Sequence, residues 1–336
     1  MIDQGRLLPV PGLDVAAGEE VEQATHDGAS VRLWKERIVI DGRIAIVRKR
    51  LAGLSGPRVV LVHGFAQNRY TWHLSRRSLS AWLAAEGFDT WNLELPGHGN
   101  SRSPAGSPAF AEYVADIGRV AEVMGAPAFW MGHSLGGAVA YAAATVVPMR
   151  GVIGIGALFR FAQANLALRA LCSFSGMMEG RRLLGALNVR THFAGRLLAR
   201  LYGITDIAGY AFPISGWAPG SIEEDLLAER LRAGFDWTSA NVWFDMARWG
   251  VSGRFDYEDA WGRTDVPLLV IGGDLDHLML PEDARTAYDL SGSTDRTWHL
   301  LDDYTTGVHW GHLDLIVGKH APRWVWPVLR DWMRAR

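Results

Sequence analysis

Residues 128–137 read AFWMGHSLGG, and they indicate the architecture of the chain more strongly than any other stretch. The apolar run over 128–131 predicts a short buried strand, and the small-residue run over 138–147 predicts a helix. Between the two lies a G-x-S-x-G motif centred on Ser134. A sharp turn from strand to helix exposes the hydroxyl of such a serine, and flanking glycines let neighbouring backbones approach closely. Since the N-terminus of the following helix adds positive potential beneath a developing anion, we predict that Ser134 is a nucleophile.

Strand-like and helix-like segments alternate on both sides of this motif. We expect strands at 58–62, 88–95, 152–158, 267–271 and 296–301, and helices at 75–86, 111–124 and 320–336. This alternation predicts an α/β fold with a mostly parallel central sheet and helices on both of its faces. Segments 30–40 and 43–51 come first, and the Asp41-Gly42 pair between them predicts an antiparallel hairpin.

The alternation stops between about residues 160 and 260, where we expect helices and loops instead. We therefore divide the chain into an N-terminal extension (1–29), a first part of the core (30–159), a helical cap (160–260) and a second part of the core (261–336). An insertion at the carboxyl ends of the strands would cover the place where open α/β sheets bind ligands.

The composition of the cap bears on what it binds. Its acids, such as Glu223 and Glu258, fall in its second half, and its first half is rich in arginine: Arg160, Arg169, Arg181, Arg182, Arg190, Arg196 and Arg200. This asymmetry predicts either two solvated faces or a basic rim for anionic substrates or lipid headgroups. Five tryptophans favour an apolar, aromatic-lined cavity: Trp217, Trp237, Trp243, Trp249 and Trp261.

The overall composition excludes several classes of protein. Of the 336 residues 49% are hydrophobic, and the net charge is −2, so we expect a packed globular protein and no nucleic-acid partner. The single cysteine, Cys172, excludes an internal disulfide and a cysteine-based zinc site. The first residues lack the pattern of a signal peptide, and no run of about 18 apolar residues occurs. We therefore expect a cytoplasmic protein without stable membrane insertion.

A serine hydroxyl needs a base that takes its proton, and the chain has 11 histidines. A base in this arrangement should lie late in the chain, on a loop after the last strand. His309 and His312 are the two candidates there. We favour His312, because a short helix is expected just after it and the loop position would let the imidazole point toward the strand ends. The two also form an H-x-x-H pattern, but no nearby ligand set supports it, so we expect neither a metal nor a cofactor.

An imidazole in this role needs a carboxylate that fixes its tautomer and stabilises the imidazolium. Asp274 and Asp276 both follow the strand expected at 267–271. We favour Asp276 as the acid and interpret Asp274 as a turn former that bonds its own backbone. We interpret Asp314, which follows His312 closely, as a favourable charge in the first turn of a helix.

The oxyanion of an acyl-transfer reaction needs two donors. The N–H of Leu135, directly after the serine, is one, and the N–H of Phe65, on the loop after the strand at 58–62, is the other. We interpret His63 on that loop as structural. We expect four further residues to contact the substrate, three from the same loop and one beside the serine: Gln67, Asn68, Trp72 and His133.

From about Ser30 to its end, the chain resembles the α/β-hydrolase superfamily. The matching pieces, in chain order, are residues 61–65 (LVHGF), 95–101 (LPGHGNS), 132–137 (GHSLGG), 273–276 (GDLD) and 311–314 (GHLD). The resemblance implies the α/β-hydrolase fold, with a helical cap inserted in the core. It also implies that the acid is Asp276 and the base is His312.

Residues 311–318 (GHLDLIVG) are similar to the end of acid lipases and polyhydroxyalkanoate synthases. Those synthases use a cysteine at the position of Ser134, so ester hydrolysis is the better inference than polymerisation. Haloalkane dehalogenases and epoxide hydrolases place an aspartate there and do not match. The lipases of this branch are secreted, which does not fit the expected location of this chain.

These residues together predict a serine hydrolase of the esterase or lipase type, which cleaves carboxylic esters of apolar acyl groups or alcohols through an acyl-enzyme on Ser134. One alternative is a thioesterase or acyltransferase, because coenzyme A thioesters carry phosphates that suit the arginine-rich stretch. Another is a hydrolase-fold protein that binds a ligand with little or no turnover. The expected partner is a small-molecule ester, and a homodimer is one assembly compatible with the sequence.

Overall fold

The computed structural model describes residue 7 and residues 10–103, 107–179, 188–190 and 216–336. Its strands are β1 (Leu13–Val15), β2 (Glu19–Ala24), β3 (Ser30–Ile40), β4 (Ile44–Arg50), β5 (Arg58–Val62), β6 (Asp89–Leu93), β7 (Phe129–His133), β8 (Gly151–Ile155), β9 (Asn188–Arg190), β10 (Trp237–Ser239), β11 (Leu268–Gly273) and β12 (Arg296–Leu301). Within the described ranges, ten of these strands form one sheet, and β9 pairs with β10 in a separate antiparallel ribbon.

The large sheet follows the order β1-β3-β4-β6-β5-β7-β8-β11-β12, and β2 also pairs with β3. In the part of this order that reads β6-β5-β7-β8-β11-β12, all neighbouring strands are parallel. The strands β1 to β4 pair with one another, and β4 with β6, in the antiparallel sense. The predicted mostly parallel sheet is therefore confirmed. Its strand order places the carboxyl ends of β5, β7, β8 and β11 side by side at one edge, so residues that follow these strands meet there.

Helices cover both faces of this sheet. They are α1 (Leu79–Ala85), α2 (Phe110–Met124), α3 (Leu135–Ala144), α4 (Leu166–Glu179), α5 (Glu224–Ala233), α6 (Ala240–Ser252), α7 (Glu258–Trp261), α8 (Pro281–Asp289), α9 (Asp303–Thr306), α10 (Asp314–Val317), α11 (Ala321–Trp324) and α12 (Trp326–Arg334). In β5, Val60 and Val62 pack toward α2 and α3, while Val59 and Leu61 pack toward α1 and α12. Burial on both faces explains why this strand is a continuous apolar run.

The N-terminal boundary needs correction, because the sheet does not begin at residue 30. β1 and β2, which lie within the predicted extension 1–29, both pair with β3. The 11 residues of β3 are long enough to accept both short strands. None of the side chains of β2 is fully buried, and its sequence lacks the apolar alternation that would have marked it as a strand. The hairpin between β3 and β4 is confirmed, with positive φ angles of 52° at Asp41 and 66° at Gly42.

The helix expected at 320–336 is interrupted. The structure has α11 and α12 there instead, separated by Val325. Pro327 has no backbone N–H and its ring crowds the preceding turn, so a continuous helix cannot pass through it. The two pieces still close the face of the sheet that α1 covers, with Trp326 fully buried.

The segment at 160–260 is mainly helical where it is described. α4 packs against α6, and Gly250 lies so close to Cys172 that a Cβ at residue 250 would approach the sulfur to 2.7 Å. Burial raises the pKa of Cys172 to about 11, so its thiol stays protonated. Arg181, Arg182, Arg196 and Arg200 lie outside the described residues.

Among the helices in the described parts of the chain, none combines the length and the apolar character that crossing a bilayer requires.

Candidate active site

Ser134 lies at the junction of β7 and α3, in a backbone conformation that residues other than glycine rarely adopt. Its φ is 56° and its ψ is −124°, and α3 begins at the next residue. The turn packs closely against β5: a Cβ at Gly136 would collide with the carbonyl of Val62. The strain at Ser134 is therefore maintained by close packing of strand against helix. Its side chain is almost buried, with 8% of the residue exposed.

His312 and Asp276 form a buried pair close to this turn. The Nδ1 atom of His312 lies 2.7 Å from Oδ2 of Asp276, and both residues are at most 1% exposed. The second carboxylate oxygen, Oδ1, accepts the N–H groups of Leu278 at 3.0 Å and Met279 at 2.8 Å. Since three donors converge on one carboxylate, the orientation of Asp276 is fixed and Nε2 is the ring nitrogen of His312 that remains available.

One backbone segment, 155–158, connects the pair to the serine. Ser134 donates its N–H to the carbonyl of Ile155, and its own carbonyl accepts the N–H of Leu158, each at 3.1 Å. Between them, Gly156 has a φ of +50°, and a Cβ there would come within 2.9 Å of Oδ2 of Asp276 and 3.0 Å of Nδ1 of His312. The same short segment thus binds Ser134 and packs against the Asp276–His312 pair.

His133 supports His312 from the side of β7. The two rings lie 4.4 Å apart between centroids, and Nε2 of His133 is 3.1 Å from the carbonyl oxygen of His312, to which it donates. Burial lowers the pKa of His133 well below its usual range, and the charges of His312 and Arg230 lower it further. His133 is therefore neutral at neutral pH, which leaves its ring free of repulsion from a protonated His312.

The described contacts include no hydrogen bond between the Ser134 hydroxyl and the His312 ring. Such bonds are often long or poorly aligned before substrate binds.

His309, the other candidate base, lies in a second pair on the surface. Its Nδ1 is 2.5 Å from Oδ2 of Asp274, and almost half of its side chain is exposed. This hydrogen bond raises the pKa of His309. The turn role expected for Asp274 needs correction: its carboxylate bonds His309 and the N–H of Trp310, far along the chain. In the described part of the chain, Asp303 joins them as a potential third ligand for a cation, although exposed groups of this kind are common without one.

The two donors predicted for the oxyanion lie on either side of Ser134. Among the described hydrogen bonds, the N–H groups of Phe65 and Leu135 have no protein acceptor. A Cβ at Gly64 would come within 3.0 Å of the Cβ of Ser134, so the loop that carries Phe65 passes directly beside the serine. The Phe65 ring is half-buried and packs on Trp243 of α6, with ring centroids 5.9 Å apart.

His63 has the structural role expected from the sequence. It is fully buried; its Nδ1 donates to the carbonyl of Gly64 at 2.9 Å, and its Nε2 accepts the N–H of Leu95 at 3.0 Å. Burial lowers the pKa of His63 well below its usual range, so the ring is neutral. It holds the loop before Phe65 against the strand that ends at Leu93.

The four residues predicted to contact substrate are mostly engaged in contacts within the protein, and their contact with substrate stays a prediction. Trp72 and His133 are fully buried, so they offer no open surface to a ligand. Asn68 has its amide occupied: Oδ1 caps the turn at Arg69–Thr71, while Nδ2 donates to Ala233 and to Asp236. Asn68 thus ties the loop to the segment after α5. Gln67 is nearly buried and accepts the hydroxyl of Thr71, beside Gly64.

Arg230 of α5 is a residue of this region that the sequence did not indicate. It is 1% exposed, and its guanidinium donates to Thr71 at 3.1 Å while Nη1 has no partner among the described residues. Burial lowers its pKa to about 10, so it remains charged at neutral pH. Its charge in turn lowers the pKa of His63 and His133. A positive charge therefore lies behind the loop that carries Gln67 and Gly64.

Other expectations for the 160–260 segment are met in part. Trp249 and Trp261 are fully buried in the hydrophobic core, so they belong to the packing and not to a cavity wall. The side chain of Trp237 lies outside the described residues. Arg160 pairs with Glu258 at 2.7 Å, as two faces that neutralise each other would do.

Asp314 lies in the first turn of a helix, as expected, and has a further role. It begins α10, but it is buried, and its Oδ2 accepts the N–H groups of Gly311 at 2.7 Å and Ala218 at 2.9 Å. Burial raises its pKa to about 7. Its hydrogen bonds fasten the loop that carries His312 to the segment around Ala218.

Comparison with known proteins agrees with this architecture. Residues 59–327 match the model of the alpha/beta hydrolase family. An uncharacterized protein of Mycobacterium tuberculosis is 28% identical over 260 residues, which cover 72% of this chain and 71% of that protein. A shorter match, 36% identical over 95 residues, covers 28% of this chain and 33% of the pimeloyl-[acyl-carrier protein] methyl ester esterase of Methylococcus capsulatus.

Among solved structures, the monoacylglycerol lipase of Paleococcus ferrophilus is similar with a TM-score of 0.62 and 17% sequence identity. The match covers 87% of this chain and 98% of the lipase. At this identity the similarity establishes a shared fold.

Proposed function

Since the chain belongs to the alpha/beta hydrolase family and is a hydrolase-type enzyme, we propose that it cleaves carboxylic esters through an acyl-enzyme formed on Ser134. The single observation that carries this proposal is the segment 155–158, which bonds the strained Ser134 and packs on the buried Asp276–His312 pair. The residues proposed as nucleophile, base and acid thus all contact one piece of backbone, and a serine hydrolase needs these three groups close together.

In the first step, the Ser134 hydroxyl attacks the carbonyl carbon of the ester. Its proton passes to Nε2 of His312, because Nδ1 already carries the proton that bonds Asp276. The N–H groups of Phe65 and Leu135 donate to the oxygen of the tetrahedral intermediate as it gains negative charge. Asp276 stabilises the imidazolium, and the N–H groups of Leu278 and Met279 that bond its Oδ1 hold the carboxylate in orientation.

In the second step, the tetrahedral intermediate collapses and the bond to the alkoxy group breaks. His312 returns its proton to the leaving alcohol, and Ser134 remains acylated. A water molecule then attacks the acyl carbon while His312 takes one of its protons, and the second collapse releases the acid and restores the serine.

Two observations support an ester with apolar groups. The half-buried Phe65 ring lies beside the proposed oxyanion donor and packs on Trp243, so it offers aromatic surface next to the serine. The relative in Methylococcus capsulatus is named an esterase.

Arg230 fits the same proposal as a positioning residue. A chain of contacts connects its charge to the loop that carries Gly64 and Phe65. Arg230 donates to Thr71, Thr71 donates to Gln67, and Gln67 lies against Gly64. A fixed positive charge there stabilises negative charge that develops at the oxyanion.

The test is the hydrolysis of p-nitrophenyl esters with acyl chains of several lengths. Ser134→Ala should lower kcat by a factor on the order of 10⁶. His312→Ala should be similarly impaired. His309→Ala removes the imidazole of the surface pair with Asp274 and should retain wild-type kinetics. Equal rates for Ser134→Ala and the wild type would refute the proposal, and equal losses for the two histidine variants would refute the role of His312.

The thioesterase or acyltransferase alternative depended on the arginine-rich stretch, and four of its seven arginines lie outside the described residues. The same assay with acyl-coenzyme A and a matched simple ester distinguishes it. A preference for the thioester would favour that alternative, and no preference would exclude it.

A further inference from the structure

A cavity of about 640 Å³ lies over the antiparallel part of the sheet. Its floor is formed by β3, β4 and β6, and its rim by β2 and by the loop around Arg69 and Tyr70. The residues that line it do not include Ser134, Asp276 or His312, so it is separate from the candidate active site. Its size is within the range of about 300–1,000 Å³ that is typical of pockets for small ligands.

Four cationic side chains line this cavity, two of which have carboxylate partners. Lys35 pairs with Glu19 and Arg69 with Glu94, each at 2.8 Å. Within the described part of the chain, Lys49 and Arg37 have no carboxylate within ion-pair distance. Because Lys49 lies opposite Lys35 in the β3–β4 register and Arg37 is two residues further along, the two unpaired cations share one face of the sheet.

Lys49 is the more unusual of the two. It is 3% exposed, and its only hydrogen bond among the described residues is to the Ser80 hydroxyl at 3.1 Å. An ammonium has three donors, so two of them remain for a ligand. The chain contains only two other lysines, Lys35 and Lys319, and a buried lysine without a counter-ion costs stability that an apolar residue would not.

The electrostatics of the floor point to an anion. Burial together with Lys35 and Arg69 lowers the pKa of Lys49 to about 7. Burial and three neighbouring cations, Lys49, Arg69 and Lys35, lower the pKa of His73 to about 3. In both cases the neighbouring charges act in the same direction, so the local potential at the floor is positive.

Asn92 adds a polar acceptor to the same floor. Its Nδ2 donates to the carbonyl of Arg69 at 3.1 Å, while its buried Oδ1 has no partner among the described residues. In the sheet Asn92 pairs with Val47, two residues from Lys49 on the same face. Buried polar atoms are normally hydrogen-bonded, so an unsatisfied acceptor on the same face as an ammonium with two unused donors indicates that something polar binds there.

We propose that this cavity binds a small organic dianion that carries a hydroxyl group. The ammonium of Lys49 and the guanidinium of Arg37 hold its negative charges, and Oδ1 of Asn92 accepts its hydroxyl. The dianion is either a phosphate monoester or a dicarboxylate, since both present two negative charges on oxygen. This site is independent of the proposed esterase activity.

The test is isothermal titration of the intact chain with three probes. Glycerol 3-phosphate represents the phosphate monoesters, malate represents the hydroxy dicarboxylates, and glycerol is the uncharged control. We expect saturable binding of one of the two anions and none of glycerol. Lys49→Met should weaken binding at least about tenfold, because it removes a buried charge from the anion. Lys319→Met, at an exposed lysine elsewhere, and Ser134→Ala should leave binding unchanged.

A second measurement does not depend on the folding of Lys49→Met. With ¹³C at the lysine Cε atoms, the wild-type spectrum should contain three lysine signals, one for each residue. The bound anion should shift the Lys49 signal and leave that of Lys319 in place. The proposal is overturned if neither anion binds at concentrations up to about 10 mM, where even weak sites fill. It is also overturned if Lys49→Met binds as the wild type does or if the Lys49 signal does not respond. Lys49→Met should keep its esterase activity, so a failure of the anion site can be told apart from a failure of the proposed esterase function.

Discussion

Replacement of Asp276 by asparagine should reverse the tautomer of His312 while it leaves the fold intact. Oδ1 of Asp276 accepts two backbone N–H groups, from Leu278 and Met279. An asparagine has one acceptor oxygen, which must stay in that position, so its NH₂ group would face His312. The Nδ1 atom would then have to accept a hydrogen bond, and the ring proton would move to Nε2.

A ring that carries its proton on Nε2 cannot take the proton of Ser134. We expect Asp276→Asn to lower kcat by about 10⁴-fold, the size of effect known for wrong-tautomer variants of serine hydrolases. That factor corresponds to about 5.5 kcal/mol of activation free energy. The free energy of unfolding should change by only about 1 kcal/mol, since both backbone hydrogen bonds are kept and the side chains have nearly the same volume.

The assay is steady-state hydrolysis of a p-nitrophenyl ester, with ¹⁵N NMR of the histidine rings to identify the tautomer. Asp274→Asn is the matched control, because it makes the same change in the outer pair with His309. It should retain nearly all activity. The reasoning would be refuted by a loss smaller than tenfold in Asp276→Asn, by an equal loss in the control, or by a proton that remains on Nδ1.

Three further predictions concern residues around the site. Gly156→Ala should lower kcat and Tm together, because its Cβ would press on Asp276 and His312 and a positive φ costs alanine about 1–2 kcal/mol; unchanged kinetics would contradict this. Arg230→Met should lower kcat about tenfold with little change in KM, since it removes charge behind the oxyanion loop, while the exposed Arg232→Met should not; a pure KM effect would count against the electrostatic role. The raised pKa of Asp314, about 7, means that the native state holds this proton more tightly than the unfolded state. Stability from this group is therefore present at low pH and lost as pH rises from about 4 toward 7, so Asp314→Asn should melt with less pH dependence between pH 5 and 8 than the wild type. Equal pH dependence of the two melting temperatures would contradict it.

The sequence was most informative where local pattern and local structure coincide. The buried strands at β5, β7 and β11 are short apolar runs, and the strand predicted at 296–301 has the bounds that β12 has in the structure. The strand-to-helix turn at Ser134 is a local motif with a required context, and the structure has that context. The α/β-hydrolase resemblance is confirmed as family membership.

Interactions between distant residues could not be predicted in this way. Asn68 is a polar loop residue by sequence, and only the fold brings it to Asp236, so the hydrogen bond between the two could not be predicted. Gly156 is one glycine among 38, and Arg230 lies on a helix whose pattern gives no sign of an unpaired buried charge. Periodicity reports which face of an element is buried, but not which side chain meets it from across the chain.

Some expectations remain predictions. A cytoplasmic location, a homodimer, the absence of a metal or cofactor and the preference for apolar esters depend on properties that neither local pattern nor fold determines. Of these, the ester preference depends on the 160–260 segment, part of which lies outside the described residues.

Mass spectrometry of the protein quenched milliseconds after mixing with a p-nitrophenyl ester tests most directly whether Ser134 and His312 act together. An acyl group should be found on the peptide that contains Ser134 in the wild type and in His309→Ala. It should be absent in Ser134→Ala and should form far more slowly in His312→Ala. An acyl group on another residue, or acylation of Ser134 at an unchanged rate without His312, would contradict the account.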